Sequence, residues 1–598
     1  MKQNLKKLLV ATSLLFCTFS NAQMVLEYNL LTPNATVGLP LNGTVNVTVN
    51  WGDGSAIETV TTQQVKRHTY ATIGVKTVTI SGLLSQYSNA YSTSLSSTDS
   101  QNRLIKVLSW DGLGLQNLSY AFAQCSNLID VPSTLPSTVN SLVYTFNYAT
   151  NFNDTISTWN TINVIDMQGM FANANNFNQP IGNWNISNTT NTSFMFNFAS
   201  AFNQPLNSWN VVNVTKMDGM FSSATSFNQP IATWNVANVT NMSQMFSNAT
   251  AFNQPLNGWN VISVTKMNLM FEFTSFNQPI GNWNVANVTN MSQMFSNNSV
   301  FNQPLNSWNV ANVTKMINMF ALATNFNQPI GNWSVANVTD MSGMFFGATS
   351  FNQPLSTWNV ANVTNMYNMF YEAFAFNQPI TNWNVTNVTN MYGMFFRATV
   401  FNQPIGNWNV VNVTDTRFMF REATNFEQNI GNWNVSNVNT MNGMFLNVKL
   451  CTENYDAILN GWSTQNVKPN VNFNGGLSKY SAASSAARSS LITNKSWVIT
   501  DAGVATASDF CNLSNDTYEK EVFTIFPNPA NSVLNINTDN QTLKLVSYEI
   551  YTLTGQRIQK NNFETLENKI NIQSLSNGNY LLKLYTDKNS ISKIFIKQ

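Results

Sequence analysis

Charge is what this chain has least of. Of 598 residues only 9% are charged, 28 Lys and Arg against 27 Asp and Glu, for a formal net charge of +1. A nucleic-acid binder needs a basic face to neutralise phosphates, so the composition argues against one. Histidine occurs once, as His68, which leaves a Ser–His–Asp mechanism a single candidate base. The four cysteines show no Cys/His spacing suited to a metal. Beyond residue 22 no apolar run is long enough for a membrane-spanning helix. Little charge does not mean disorder here, because aromatics make up 12% and recur with a period. Asn, Ser and Thr supply the polar surface.

That period organises the chain. One unit reads Phe227-Asn-Gln-Pro-Ile-Ala-Thr-Trp234-Asn-Val-Ala-Asn-Val-Thr-Asn-Met242-Ser-Gln-Met245-Phe246-Ser-Asn-Ala-Thr-Ala251. It recurs from about residue 152 to 446 with Trp159, Trp184, Trp209, Trp234 and Trp259 each 25 apart, Trp283 after 24, and Trp308 to Trp433 again at 25. The short step is a one-residue deletion between Phe271 and Phe276. A strict period of this size marks a solenoid. One unit cannot bury Phe227, Ile231, Trp234, Val236, Val239, Met242, Met245 and Phe246 alone, whereas stacked coils can. The Ile-x-x-Trp-Asn-Val segment predicts a short strand started by the Pro. The Val-Thr-x-Met-x-x-Met-Phe segment predicts one or two helical turns, capped by Asn or Thr. Asparagine columns, such as Asn235, Asn260, Asn284 and Asn309, or Asn238, Asn287, Asn312 and Asn337, are expected to bond to each other and to loop backbone.

The pattern F-N-Q-P-I-x-x-W-x-V-x-N-V-T-x-M-x-x-M-F resembles the BspA-like leucine-rich-repeat surface proteins, in the mycoplasma-type lipoprotein repeat branch. The likeness covers about residues 102–503. It implies a mainly β fold with short helical turns: a right-handed leucine-rich-repeat-like solenoid, here flanked by β-sandwich domains. It also implies a bacterial surface location, adhesion or protein binding, and no common enzyme activity.

The flanks read as follows. Residues 1–22 resemble a secretory signal: Lys2, Lys6 and Lys7, an apolar run, then Ser20-Asn21-Ala22. Residues 23–84 are β-rich, and Trp51-Gly-Asp-Gly-Ser55, His68-Thr-Tyr70 and Gly74–Gly82 resemble a PKD-type β-sandwich. Residues 85–101 are a Ser-rich linker, and 102–150 are a degenerate opening to the 151–446 solenoid, as a terminal coil must be. Residues 447–503 close it with helices at Tyr455–Trp462 and Ala482–Ile492 and a strand from Trp497, a block that ends many relatives of this repeat family. Residues 504–520 link to residues 521–598. There Pro527-Asn528-Pro529, Thr552-Leu-Thr-Gly555, Gly578-Asn-Tyr580 and Lys593–Lys597 resemble the C-terminal sorting domain of type IX secretion in Bacteroidetes-type bacteria. That likeness implies a sorting signal at Pro527, Asn528, Pro529, Gly578, Tyr580, Lys593 and Lys597. It also implies passage across inner and outer membranes to the cell surface or medium. Cys451 with Cys511 is a candidate bridge in an oxidising compartment, and Cys125 is expected in the core.

No residues select themselves as catalytic, cofactor-binding or metal-ligating. Paired carboxylates facing one bond, as a glycosidase needs, are not picked out. Asp53 reads as a turn residue and His68 as a packed strand residue. Met-x-x-Met pairs such as Met242 and Met245, or Met291 and Met294, have soft-metal chemistry but recur in phase with Phe, as a core stripe does. The column Thr215, Thr240, Thr265, Thr289, Thr314 is assigned to capping within the expected helical turn. Partner binding is expected where the repeat varies, beside the Met-Phe segment: Lys216, Lys266, Lys315, Tyr367, Tyr371, Tyr392, Arg397, Arg417 and Arg421. Aromatic and Arg anchors are common in binding hot spots. The partner class stays open between an extracellular protein and a glycan. So does the role, between adhesin or binding scaffold, structural coat or spacer, and, less favoured, a glycan-processing enzyme.

Overall fold

The computed structural model describes residues 23–88, 101–506, 509, 523–538, 545–552, 556–563, 568–586 and 590–598. The expected signal at 1–22, most of both linkers, and Cys511 lie outside them. The chain divides into two units, 1–506 and 507–598. Among the described residues no helix is long and apolar enough to cross a membrane.

The first unit opens with strands β1 (Gln23–Leu30), β2 (Ala35–Asn50), β3 (Glu58–Val60), β4 (Gln64–Tyr70), β5 (Gly74–Tyr87) and β6 (Leu104–Asp111). In β1, alternation of apolar and polar residues buries Met24, Leu26, Tyr28 and Leu30 on one face. The six strands hydrogen-bond into one sheet, in the order β3-β2-β5-β1-β6 with β4 on the first half of β2. This corrects two expectations. The strands make one linked sheet and not the two of a sandwich. The β-rich region also does not end at residue 84, because β5 runs on to a buried Tyr87 and β6, read as part of the solenoid opening, pairs with β1. The reason is that the first coils cover the inner face of the sheet. Tyr87 and Trp110 lie 6.1 and 6.0 Å from Phe122. Backbone bonds from Leu84 N to Leu113 O (2.9 Å) and Val107 N to Asp130 O (2.9 Å) carry the sheet into the repeats. One hydrophobic core therefore runs from Met24 to Trp497.

The repeats stack head to tail. Phe227, Ile231, Trp234, Val236, Val239, Met242, Met245 and Phe246 are all at most 2% exposed. Their rings form columns: Trp234 is 6.3 Å from Trp209 and 6.4 Å from Trp259, and Phe246 is 5.7 Å from Phe221 and 5.8 Å from Phe271. Each indole donates to the preceding unit, as Trp234 Nε1 does to Leu206 O at 2.9 Å. The Phe-Asn-Gln-Pro motif is a second clasp. Asn203 Oδ1 accepts Asn228 N at 3.0 Å and Gln229 Nε2 at 3.1 Å. Asparagines bond to backbone as expected, with Asn235 Oδ1 accepting Ala237 N (3.2 Å) and Asn238 Nδ2 donating to Val212 O (2.7 Å).

Neither the expected strand nor the expected helical turn forms within the unit. Trp234 N bonds Ile231 O at 3.1 Å and Val239 N bonds Val236 O at 3.0 Å, so the chain advances by tight turns. Apolar spacings of three are turn spacings, and each turn corners the chain around the core. In the Met-Phe segment the N–H groups of Met242, Gln244, Phe246 and Asn248 donate to the next unit, while those of Met245, Ser247 and Ala249 reach back three residues. Gln244 and Asn248 sit at φ 59° and 58°, the left-handed region that a type II turn requires and a helix forbids. The parallel β contact is one bridge per unit, a column that includes Asn191, Lys216, Asn241, Lys266, Asn290, Lys315, Asp340, Asn365, Asn390 and Asp415. The threonine column is not helical either. Thr240 is exposed and its Oγ1 donates to Thr215 O at 3.2 Å.

Departures from the repeat have local causes. After the one-residue deletion, Asn298 takes the place of the usual alanine. It is fully buried, donating to Phe276 O (2.9 Å) and accepting from Phe301 N (3.1 Å). In the last repeat Glu427 replaces asparagine and accepts Cys451 N at 2.9 Å, a carboxylate at the start of α1 (Thr452–Ser463). The stack then closes through β7 (Asn472–Asn474), α2 (Ser485–Lys495) and β8 (Val498–Thr500), with β7 and β8 parallel. Asp501, 2% exposed at its side chain, holds Arg488 Nε at 2.8 Å and Tyr455 Oη at 2.9 Å. Cys451 is disulfide-bonded. Cys125 is free and buried, and burial pushes its thiol up to about 12.

The second unit has two antiparallel sheets: β9 (Phe523–Phe526), β10 (Val533–Thr538) and β13 (Lys569–Asn571) in one, and β11 (Leu545–Thr552), β12 (Arg557–Asn562), β14 (Gly578–Thr586) and β15 (Ser590–Lys597) in the other. They share a core that includes Leu534, Ile550, Leu582 and Phe595.

Candidate interaction surface

The ladder of left-handed turns presents the side chains that vary from unit to unit. Six of the nine expected binding residues converge there, on coils between Phe346 and Glu422. Two aromatic files run along the stack, and each ends under an arginine. In the first, Phe346 and Tyr371 stack at 4.6 Å, Tyr371 and Phe396 at 4.4 Å, and the Arg421 guanidinium lies 5.1 Å over Phe396. In the second, Tyr367 and Tyr392 stack at 4.9 Å, and Arg417 lies 5.1 Å over Tyr392. Such contacts add attraction beyond buried area.

Acids on the same and neighbouring coils fix the arginines. Arg397 bonds Glu422 through Nε (2.7 Å) and Glu372 through Nη1 (2.8 Å). Arg421 Nε reaches Glu422 at 3.2 Å, and Arg417 grips Asp415 with Nε at 3.0 Å and Nη2 at 2.7 Å. The Arg397 bond, with help from Arg421, holds the Glu422 carboxyl below the usual range. Because the rings stack along the file, their faces are covered by one another. What reaches solvent is ring edges, the phenol oxygens and the outer nitrogens of arginines 34–47% exposed.

The structure does not bring Lys216, Lys266 and Lys315 to it. They lie in the bridge column on earlier coils, two coils apart from one another. Sequence reasoning missed Phe346, Phe396, Glu372 and Glu422. The available signal was the period: the phenylalanines share the column of Tyr371 and Arg421, and the glutamates flank Arg397 at 25 residues on either side.

Two other places bear on chemistry. Asp53 accepts from Ser55 Oγ at 2.6 Å and meets His68 Nε2 at 2.7 Å, with His68 stacked on Trp51 at 4.8 Å. The acid sits between the serine and the histidine, so the imidazole is not placed to take the serine proton. Bonds from Ser55 first, then His68, hold the Asp53 carboxyl well below its usual range. Among the described residues no group of three or more His, Cys, Asp or Glu side chains is placed to hold a metal.

In the second unit the expected sorting residues meet at the last strand. Asn528 Oδ1 accepts Ile596 N at 2.8 Å, Asn528 Nδ2 donates to Ile594 O at 3.3 Å, and Ala530 N donates to Ile596 O at 2.8 Å. The Pro527-Asn528-Pro529 loop is thus clasped to the strand carrying Lys593 and Lys597. Tyr580, on the neighbouring β14, stacks on Phe595 at 5.6 Å and donates to Ser576 O at 2.8 Å. Glu549 on β11 collects Tyr551 Oη (2.6 Å), Tyr585 Oη (2.7 Å), Lys560 (3.1 Å) and Arg557 (3.2 Å). The Tyr551 bond leads in lowering its carboxyl to about 2.

These features define a mainly β repeat protein in which the constant positions build the core and the variable ones a face, followed by a separate β unit of the kind that directs export. Family models give both parts their identity. The chain belongs to the family described as Mycoplasma protein of unknown function, DUF285, whose model matches residues 116–217, 181–275, 202–304, 270–381 and 355–462. This is the BspA-like, mycoplasma-type repeat. Residues 524–598 match the secretion system C-terminal sorting domain, which marks the chain for type IX secretion to the cell surface or the medium. A PKD-type identity for residues 23–84 is not confirmed. No curated protein matches. Among solved structures, the plant peptide hormone receptor RGFR1 in complex with RGF2 is similar at 8% identity over 65% of this chain and 80% of that one, with a TM-score of 0.18.

Proposed function

We propose that this secreted repeat protein is a non-enzymatic surface adhesin. Its stacked units form a right-handed leucine-rich-repeat-like solenoid, and the left-handed-turn face is offered to an extracellular protein. The observation that supports this most is the convergence of Tyr367, Tyr371, Tyr392, Arg397, Arg417 and Arg421 on one patch. Ring edges, phenols and restrained arginines suit a protein partner, since hot spots favour Tyr and Arg that lose little freedom on binding. The test is binding of the purified full chain to a panel of extracellular-matrix and cell-surface proteins, beside a Tyr371→Ser/Arg421→Ser variant. Saturable binding that the variant loses at least tenfold supports the reading. No binding, or equal binding by the variant, refutes it. A coat or spacer role is the second reading. It draws on the satisfaction of these arginines by acids of the same chain, which an inert surface also needs.

A further inference from the structure

The bridge column carries a pattern that the fold does not ask for. At most of its positions an Asn or Asp side chain accepts the N–H two residues on. Asn191, Asn241, Asn290, Asp340, Asn365, Asn390 and Asp415 do so at 2.9 to 3.1 Å. Lysine has no acceptor, so Lys216, Lys266 and Lys315 give this bond up. All three are exposed, and none makes a side-chain hydrogen bond or ion pair among the described residues. Between Asp166 and Asp415 this local rule is broken only by the three lysines, at alternate coils and with no compensating contact inside the chain, and such a place is where function is to be sought.

The geometry of the row selects a ligand. The lysines recur every second coil, about 10 Å apart from twice the usual separation of paired strands. Neutral amides, Asn241 and Asn290, stand between them, and the exposed hydroxyls of Thr215, Thr240, Thr265, Thr289 and Thr314 run alongside. Acids bound the row, Asp166 on one side of Asn191 and Asp340 after Lys315. The acids on the same coils are engaged, Asp218 by Ser193 Oγ at 2.6 Å and Glu272 by Ser247 Oγ at 3.1 Å. Duplex DNA carries about one charge per 1.7 Å of axis, far denser than this row. A polymer with acidic groups on alternate units and hydroxyls between them fits.

We propose that Lys216, Lys266 and Lys315 bind a linear anionic polysaccharide laid along the stack. This rests on reading the ladder as a binding face, but it uses coils that the aromatic patch does not.

The test is binding of the full chain to immobilised hyaluronan, whose carboxylates fall on alternate sugar units, and to alginate, whose carboxylates fall on every unit, with neutral dextran, duplex DNA and phosphatidylglycerol vesicles as comparators. The variant is Lys216→Asn/Lys266→Asn/Lys315→Asn. It installs the residue that neighbouring coils carry, so its thermal midpoint should equal or exceed that of the parent. The expected result is saturable binding to an anionic glycan that weakens with salt and falls at least tenfold in the variant. Unchanged binding by the variant, no glycan binding, or equal or tighter binding to DNA or vesicles would each overturn the proposal. Protein binding lost through Tyr371→Ser/Arg421→Ser but kept in the lysine variant separates failure here from failure of the adhesin reading.

Discussion

Gly219 offers the sharpest test of how the ladder is held. It occupies the left-handed position at φ 61°, and an added Cβ would lie 2.3 Å from the Phe194 ring of the preceding coil. The same column pairs Tyr144 with Gly169 and Phe418 with Gly443. Bulk in one coil thus lies across glycine in the next. Gly219→Ala meets two penalties. The left-handed backbone costs a residue with a Cβ about 1–2 kcal/mol, part of which a stiffer unfolded chain returns. Overpacking against the ring costs about 1–3 kcal/mol. The sum expected is about 2–4 kcal/mol. The column also holds Gln244 and Leu269 at positive φ, so backbone alone does not demand glycine. The ring must therefore carry much of the penalty. Urea unfolding of the parent, Gly219→Ala, Phe194→Ala and the double variant, followed by tryptophan fluorescence, closes a double-mutant cycle. The expected coupling is about 1–3 kcal/mol of relief in the double variant. A Gly219→Ala loss under about 0.5 kcal/mol, or no relief from Phe194→Ala, would refute the ring-over-glycine account.

Three further outcomes follow from the packing. Asn298→Ala should cost about 1–3 kcal/mol, because it strands Phe276 O beside the deleted position, while Phe301 N keeps the backbone oxygen of residue 298; urea titration reads it, and a neutral result would mean that the deletion needs no such repair. Arg488→Ala should cost about 3–5 kcal/mol by leaving Asp501 buried without its counter-charge, with Asp501→Asn/Arg488→Ala milder than the single change; calorimetry checks the order. In the sorting unit, Glu549 titrates at about 2 when folded and near the ordinary glutamate value when unfolded. Its contribution is present above about 4.3 and lost as pH falls towards 2. The melting temperature of that unit should drop across this window, and Glu549→Gln should flatten the drop. An equal slope in the variant would place the acid sensitivity elsewhere.

The core was legible because period is a physical signal. Trp, Met and Phe recur in phase, and burial of every such column is the one arrangement that stacking permits. The backbone path was not legible. Gln244 and Phe194 give no hint of a left-handed turn, since such side chains rarely adopt it, and the apolar spacing of three suited a helix equally well. Pairing of β6 with β1 joins residues about eighty positions apart, which no local pattern records. Strand β12, Arg-Ile-Gln-Lys-Asn-Asn, escaped notice because it is an exposed edge strand without apolar alternation.

The candidate surfaces became visible for the opposite reason. In an ordinary globular domain a lysine or tyrosine on the surface says little, because no neighbour states what the position would otherwise hold. Here each position is repeated, so the structural requirement of a column can be measured from its other members. Asn241 and Asn290 show what the bridge column uses for its turn, and Lys216, Lys266 and Lys315 are then departures with a defined loss. The aromatic files differ in kind. Phe346, Tyr371 and Phe396 pay for their place through mutual stacking, so their presence is explained in part by stability. The lysines have no such return within the chain. Of the two surfaces, the lysine row therefore carries the stronger claim to a partner, although the aromatic patch has more contacts to describe.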